Sequence, residues 1–487
     1  MNQRLHRLAS GVLLPGFAGT RAPAWLARRI EAGLGGVVLF GRNVVDDAQV
    51  AALTAELRAA RDGVLVAIDE EGGDVTRLDA RRGSAVPGSY ALGAVDDADL
   101  TRAVAAGIGA RLAGCGITVN LAPCADLSLT LDDPIIGVRS FGADPALAAR
   151  HVAAFVAGVQ STGVASCAKH FPGHGAATAD SHTELPELPR TPAQLRDTEL
   201  VPFRAAVRAG VRAVMTGHLV VPEWGPEPAT LNPCAIGVLR DEIGFTGTVI
   251  TDALDMKAVS GSAGMADGAV RALVAGVDGL CVGGEFTEEA TVTWLADALV
   301  AAVVAGQLPE DRLAEAAKRV ADLGAAPAAV SGHDPELGRL AAERALRVRG
   351  RLDLPRPPLV VDLVVPPTIA VGDVPWGLGA HLAELIPDVE VLRTERASAE
   401  QVASAAAGRP VIVVTRDAHR HPAARDLVES LASIGLNLVH LETGVPGPDL
   451  GATARIDTHG GARVCLRAAA ERVAAAVRSE QPISEGT

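Results

Sequence analysis

The chain is expected to fold as an α/β protein: a (β/α)8 TIM-type barrel followed by a smaller three-layer α/β sandwich domain. Three observations predict this. Short apolar runs alternate with amphipathic stretches throughout the first 300 or so residues. Polar residues recur directly after those runs. Near residue 325 the texture changes, and a second alternating region follows the proline-rich Leu354–Pro358.

The candidate strands of the first region are Gly11–Leu14, Gly36–Phe40, Val64–Ile68, Ile117–Ala122, Ala165–Ala168, Ala213–Thr216, Thr248–Ile250 and Gly279–Val282. They are continuously apolar, as in a parallel sheet covered on both faces. Between them lie helical patterns. In Asp46–Arg61, Asp47 is placed to cap the start, and Val50, Leu53 and Leu57 recur at helical spacing. The others are Asp97–Ala113, Asp144–Gln160, Pro192–Ala209, Pro233–Ile243, Gly264–Ala275 and Thr287–Ala305. Eight such units match a barrel, whose usual length is about 250 residues or somewhat more. An open doubly wound sheet would want a phosphate-binding glycine fingerprint after an early strand, and the sequence has none.

These boundaries give a barrel over 1–325, a helical connector and linker over 326–357, and a C-terminal α/β domain over 358–487. The connector is expected to be helical from Pro335 to Val348. Strand candidates beyond it are Leu359–Val365, Thr368–Val371, Val389–Leu392, Pro410–Thr415, Leu436–Leu441 and Thr453–Asp457.

Composition narrows the function classes. Of 487 residues, 48 % are hydrophobic but only 3 % aromatic, so the core must be built from Ala, Val, Leu and Ile. The net charge of −14 argues against nucleic-acid or anionic-membrane partners, which need a basic face. The six cysteines contain no C-x-x-C pair, so no zinc or redox motif is written here. The N-terminal apolar run is broken by Pro15 and reads as a first strand rather than a signal peptide. No run is long and clean enough to span a bilayer. A cytoplasmic enzyme is the simplest reading.

A barrel places its chemistry where strands end. Asp69 follows the third strand, Asp126 and Arg139 the fourth, His218 the sixth and Asp252 the seventh. Lys169 and His170 close the fifth, and the loop after it carries Asp180 and His182. Asp252 is a short, rigidly held carboxylate suited to attack an anomeric carbon; capping the next helix is an equally good reading of that residue alone. Asp69 can accept from two sugar hydroxyls, Gly72 and Gly73 allow close approach, and Arg77 is a matching donor. Lys169 and His170 add a cation and a donor, unless they are a structural pair satisfied inside the barrel. Asp180, two residues before His182, can orient that imidazole for proton transfer. His170, His174 and His182 could hold a metal on paper, but the spacing matches no helical metal motif. No metal and no cofactor are expected.

Together these segments resemble glycoside hydrolase family 3, in its β-N-acetylglucosaminidase branch. The family's D-Q-E-G-G-R-V-x-R-L is similar to Asp69–Leu78, its K-H-F-P-G-x-G and D-S-H to Lys169–Gly175 and Asp180–His182, its T-D-x-x-x-M to Thr251–Met256, and its D-P-x-I-G-x-R-S-F-G to Asp133–Gly142. The resemblance implies that Asp252 is the nucleophile and His182 the general acid/base, with Asp180 as its dyad partner. It implies that Asp69, Arg77, Arg139, Lys169, His170 and His218 hold the sugar. Glu70 replaces the usual Gln and Asp74 the usual Arg, which is expected to add negative charge at the mouth.

The expected activity is retaining cleavage of terminal β-linked N-acetylglucosamine through a glycosyl-Asp intermediate. A histidine base is neutral, so it would not repel an anionic acceptor; phosphate is open as a partner beside water. β-Glucosidase or dual activity and a catalytically silent sugar-binding barrel are the alternatives. The expected partner is a small amino-sugar glycoside.

Overall fold

The structure is a computed structural model and describes residues 2–177, 185–256, 264–284, 288–324, 334, 336–366, 368, 370–372 and 377–477. It divides into two compact units, one of Met1–Glu71, Val75–Asp79 and Asp96–Pro335, the other of Gly72–Asp74, Ala80–Val95 and the chain from Glu336 on.

The first unit is the (β/α)8 barrel. Its strands are β1 (Leu13–Pro15), β2 (Gly36–Leu39), β3 (Leu65–Ile68), β4 (Val119–Asn120), β5 (Ala165–Phe171), β6 (Ala213–Thr216), β7 (Thr248–Thr251) and β8 (Leu280–Val282). β2 to β7 pair in chain order and all in parallel, while β1 pairs with β8 and a parallel bridge from Ile250 to Gly279 links β7 to β8. Every strand residue is buried, as continuous apolar runs require. Inside, Leu14, Val38, Leu65, Val119, Met215 and Ile250 pack with the small Ala67, Ala165 and Ala213, and the partly buried Phe40 packs against them. A Cβ on Gly36 would collide with the carbonyl of Leu65, so a glycine lets β2 approach β3.

Several local expectations need correction. A helix, Asn2–Gly11, precedes the first strand, so the N-terminal run is not strand throughout. Asp46, not Asp47, caps the third helix of the chain, its side chain accepting the Gln49 N–H at 2.8 Å. Asp47 instead pairs with Arg111 at 2.8 Å. Pro192–Ala209 is two helices, Pro192–Asp197 and Leu200–Arg208. Pro202 explains the break, because it lacks the N–H that a continuous helix would bond to Thr198.

The second unit holds a sheet in the order β11 (Glu390–Thr394), β10 (Leu359–Leu363), β12 (Val411–Thr415), β13 (Leu438–Glu442), β14 (Ala454–Asp457) and β9 (Arg347–Gly350). β9 is antiparallel and the rest are parallel. Leu378, Leu382, Ala469 and Val473 cover one face, and Val402, Leu427, Val428 and Leu431 the other, which makes three layers. The expected helix ends at Ala345 rather than Val348, and the exposed Arg347–Gly350 is an edge strand. In place of the expected strand at Thr368–Val371, the Thr368 carbonyl accepts from the N–H groups of Val371 and Gly372 in a turn.

This sheet buries a polar network. Thr415 Oγ1 lies 2.7 Å from His440 Nε2 and 2.9 Å from Glu442 Oε2. Glu442 also accepts N–H groups from Asp417, Ala418 and Gly444 at 2.7, 3.1 and 2.6 Å. Burial, with Asp417 nearby, pushes its carboxyl up, and burial takes His440 down to about 4.

Candidate active site

Alternate barrel strands carry polar groups at their C-terminal ends. Asp69 and Glu71 follow β3, Lys169 and His170 lie near the end of β5, and Asp252 follows β7. Burial, together with Asp252 and Asp69, pushes the thiols of Cys167 and Cys281 up, and Lys169 opposes the shift.

Five side chains of the rim form one chain of contacts. Arg77 Nη2 is 3.5 Å from Asp69 Oδ2, and Lys169 Nζ is 2.5 Å from Asp69 Oδ1. Lys169 Nζ is also 2.9 Å from Glu71 Oε1. Glu71 in turn receives Arg139 at both oxygens, at 3.1 Å from Nε and 2.8 Å from Nη2. Burial alone would raise the carboxyls of Asp69 and Glu71. Lys169 and Arg77 hold Asp69 below its ordinary range, and Arg139 and Lys169 hold Glu71 far below. The same pairs outweigh burial on the cations and raise Lys169 and Arg139. The result is a rigid set of paired donors and acceptors, three cations held by two carboxylates. Glu71 was not singled out in the sequence; two acids side by side before a glycine pair give no sign of which one reaches Arg139.

Arg139 Nη2 continues to His170 Nε2 at 3.4 Å, and His170 Nδ1 lies 2.7 Å from Asp126 Oδ2. Cys124 Sγ lies 3.1 Å from the same oxygen. Cys124, Asp126 and His170 are close enough to share a metal ion. In the structure these donors bind one another, and Asp126 also holds backbone N–H groups. His174 is buried, its N–H 2.6 Å from Asp126 Oδ1, and burial lowers its imidazole to about 4.

Asp252 is partly exposed; its N–H bonds the Thr216 carbonyl on β6 at 3.0 Å, and its Oδ1 accepts the Ala253 N–H at 2.8 Å. His218 is fully buried. Its Nδ1 meets Thr230 Oγ1 at 2.8 Å and its Nε2 the Ala253 carbonyl at 3.0 Å, so it braces the turn that carries Asp252. Asp180 and His182 lie outside the described residues.

The two departures from the resemblance do not add charge in the way expected. Glu70 is buried; its Oε2 accepts the N–H groups of Arg77 and Leu78 at 2.9 and 3.0 Å, so it folds the segment that presents Arg77. Burial raises its carboxyl to about 6. Asp74 belongs to the second unit, where it pairs with Arg416 Nη1 at 2.6 Å and accepts the Gly461 N–H at 2.8 Å.

A (β/α)8 barrel with charged and polar groups at its strand ends has the architecture of an enzyme, and similarity to known proteins gives the class. Residues 22–323 match the glycosyl hydrolase family 3 N terminal domain, and the chain belongs to that family. It is 37 % identical over 317 residues to a beta-hexosaminidase of Chromobacterium violaceum, covering 63 % of this chain and 85 % of that one. A beta-hexosaminidase of Stenotrophomonas maltophilia is 39 % identical over 281 residues, covering 55 % and 82 %. Among solved structures, the family 3 beta-N-acetylglucosaminidase from Paenibacillus sp. str. FPU-7 superposes with a TM-score of 0.87 at 32 % identity, covering 97 % of each chain. A beta-glucoside phosphorylase superposes at 0.79 with 17 % identity and shows the fold alone.

Proposed function

We propose that this protein cleaves terminal β-linked N-acetylglucosamine with retention of configuration. The observation that carries the reading is the Asp69–Lys169–Glu71–Arg139 chain of contacts at the strand ends of a barrel whose seventh strand is followed by Asp252, in a chain similar over 97 % of its length to a beta-N-acetylglucosaminidase. Asp252 attacks the anomeric carbon and the glycosidic bond breaks as His182 protonates the leaving oxygen. Asp180 orients His182. Water, deprotonated by the neutral His182, then releases the sugar. Asp69, Arg77, Arg139, Lys169 and His170 bind the sugar hydroxyls, and His218 supports the turn beneath them. No cofactor takes part.

A neutral imidazole base also admits phosphate as acceptor, and we include it as the second acceptor. We place the enzyme in the cytoplasm, a reading supported by six cysteines without a disulfide. No helix among the described residues is long and apolar enough to cross a membrane.

The test uses aryl β-N-acetylglucosaminide and aryl β-glucoside side by side, with and without phosphate. Preference for the amino sugar and a fluorosugar adduct mapped to Asp252 are expected. Equal or faster turnover of the glucoside overturns the substrate, and an adduct elsewhere overturns the mechanism. Free sugar alone at saturating phosphate removes phosphorolysis.

A further inference from the structure

We propose that Asp126 is a positioning residue that fixes the tautomer of His170, so that His170 presents a bare Nε2 as a hydrogen-bond acceptor toward the sugar and Arg139. This rests on the reading of His170 as a sugar-binding residue.

Asp126 is fully enclosed, and both of its oxygens are committed. Oδ1 accepts the backbone N–H of His170 at 3.1 Å and that of His174 at 2.6 Å. Oδ2 faces His170 Nδ1 at 2.7 Å and Cys124 Sγ at 3.1 Å, with the His170 N–H a longer 3.2 Å away. Apart from the ring nitrogen itself, every one of these neighbours is a donor, and two backbone N–H groups with a thiol favour the ionised carboxylate. An ionised carboxylate only accepts, so Nδ1 must carry a hydrogen. On the other side of the ring, Nε2 faces Arg139 Nη2 at 3.4 Å, and a guanidinium only donates. The ring is thus bracketed by an obligate acceptor and an obligate donor. That arrangement selects the neutral Nδ1–H tautomer without reference to the sugar.

Asp126→Asn inverts this logic with little change in shape. The new amide NH2 is disfavoured at Oδ1, where it would meet the His174 N–H, which that oxygen accepts at 2.6 Å, and the His170 N–H at 3.1 Å. It sits at Oδ2 and faces His170 Nδ1. The imidazole then becomes an acceptor at Nδ1 and carries its hydrogen on Nε2, pointing at Arg139. Donor meets donor, and the acceptor offered to the sugar is gone. The equivalent exchange in the serine-protease triad leaves geometry intact while imposing the wrong tautomer.

The experiment pairs nitrogen NMR on 15N-histidine-labelled full-length protein with kinetics on an aryl β-N-acetylglucosaminide. His170 signals are assigned by their loss in His170→Gln. Wild-type protein is expected to show Nδ1–H and a bare Nε2, and Asp126→Asn the reverse. The variant should lose about 10- to 100-fold in kcat/KM, as for other residues that orient a binding histidine. A wild-type His170 with its hydrogen on Nε2 overturns the proposal, and that spectrum needs no variant to fold. A tautomer switch with unchanged kinetics also overturns it, and places the fault in the sugar-binding reading of His170. A large kinetic loss with no tautomer switch overturns it in the other direction, because a structural role alone would then account for Asp126.

Discussion

At the barrel rim, Glu71 is buried between Lys169 and Arg139, and its carboxyl is held far below the usual range. In the second unit Glu442 is equally buried, but it rests on a threonine hydroxyl and three backbone N–H groups, and its carboxyl is pushed up. The difference teaches what each cluster is for. Paired full charges fix long side chains in place while keeping them polar, which the proposed sugar-binding role of the rim needs. Neutral donors around an acid without a cationic partner stitch strand ends together.

The comparison is broken most directly at Asp252, the proposed nucleophile. Asp252→Asn is expected to lower kcat by more than about 10³-fold with the fold intact, measured by aryl-glycoside turnover and circular dichroism. Retained activity would mean that the rim cluster serves structure alone. Next comes Glu71→Ala, which removes the carboxylate paired with buried Arg139 and leaves Lys169 with Asp69 alone. It should cost about 3–5 kcal/mol in urea unfolding and also depress kcat/KM. A loss below about 1 kcal/mol would show that the rim pairs are no more than surface contacts.

Glu70 sharpens the contrast, because it lies at the rim yet behaves like Glu442. Its carboxyl is raised from 4.5 to about 6. A raised acid stabilises the folded state below about 4.5 and loses that contribution as pH climbs through about 6. Glu70→Gln should therefore raise the unfolding free energy by roughly 2 kcal/mol at pH 8, with almost no gain at pH 4. A gain at pH 4 equal to that at pH 8 would show that the carboxyl is not strained by burial. The smallest effect is expected from Thr415→Val, about 1 kcal/mol of stability with no change in kcat. A loss of turnover there would give the second unit's network a part in the chemistry.

The sequence made the strands legible because each is buried on both faces and so reads as an unbroken apolar run. It also marked Asp69, Lys169, His170 and Asp252, since barrel strands end where their runs end. What it hid depends on tertiary pairing. Nothing in Asp69-Glu70-Glu71 says that the middle acid turns back to the Arg77 and Leu78 amides while the third reaches Arg139. Asp74 reads as surplus negative charge until Arg416, far along the chain, is seen beside it. The edge strand Arg347–Gly350 escaped because it is exposed and basic, with no apolar run to mark it. Asp46 and Asp47 compete for one cap, and only the Asp47 pair with Arg111 explains why the earlier residue wins.

The enclosure of the Lys169–Glu71 contact has a consequence for the solvents in which the enzyme can work. In molar salt the screening length falls to about 3 Å, and exposed pairs such as Lys318–Asp322, 74 % and 62 % open to solvent, lose most of their attraction. Lys169 and Glu71 are each only 3 % exposed, so mobile ions have no room between them. The grip proposed for this rim on a neutral sugar should therefore be nearly indifferent to ionic strength, and the protein would keep its substrate affinity in brine.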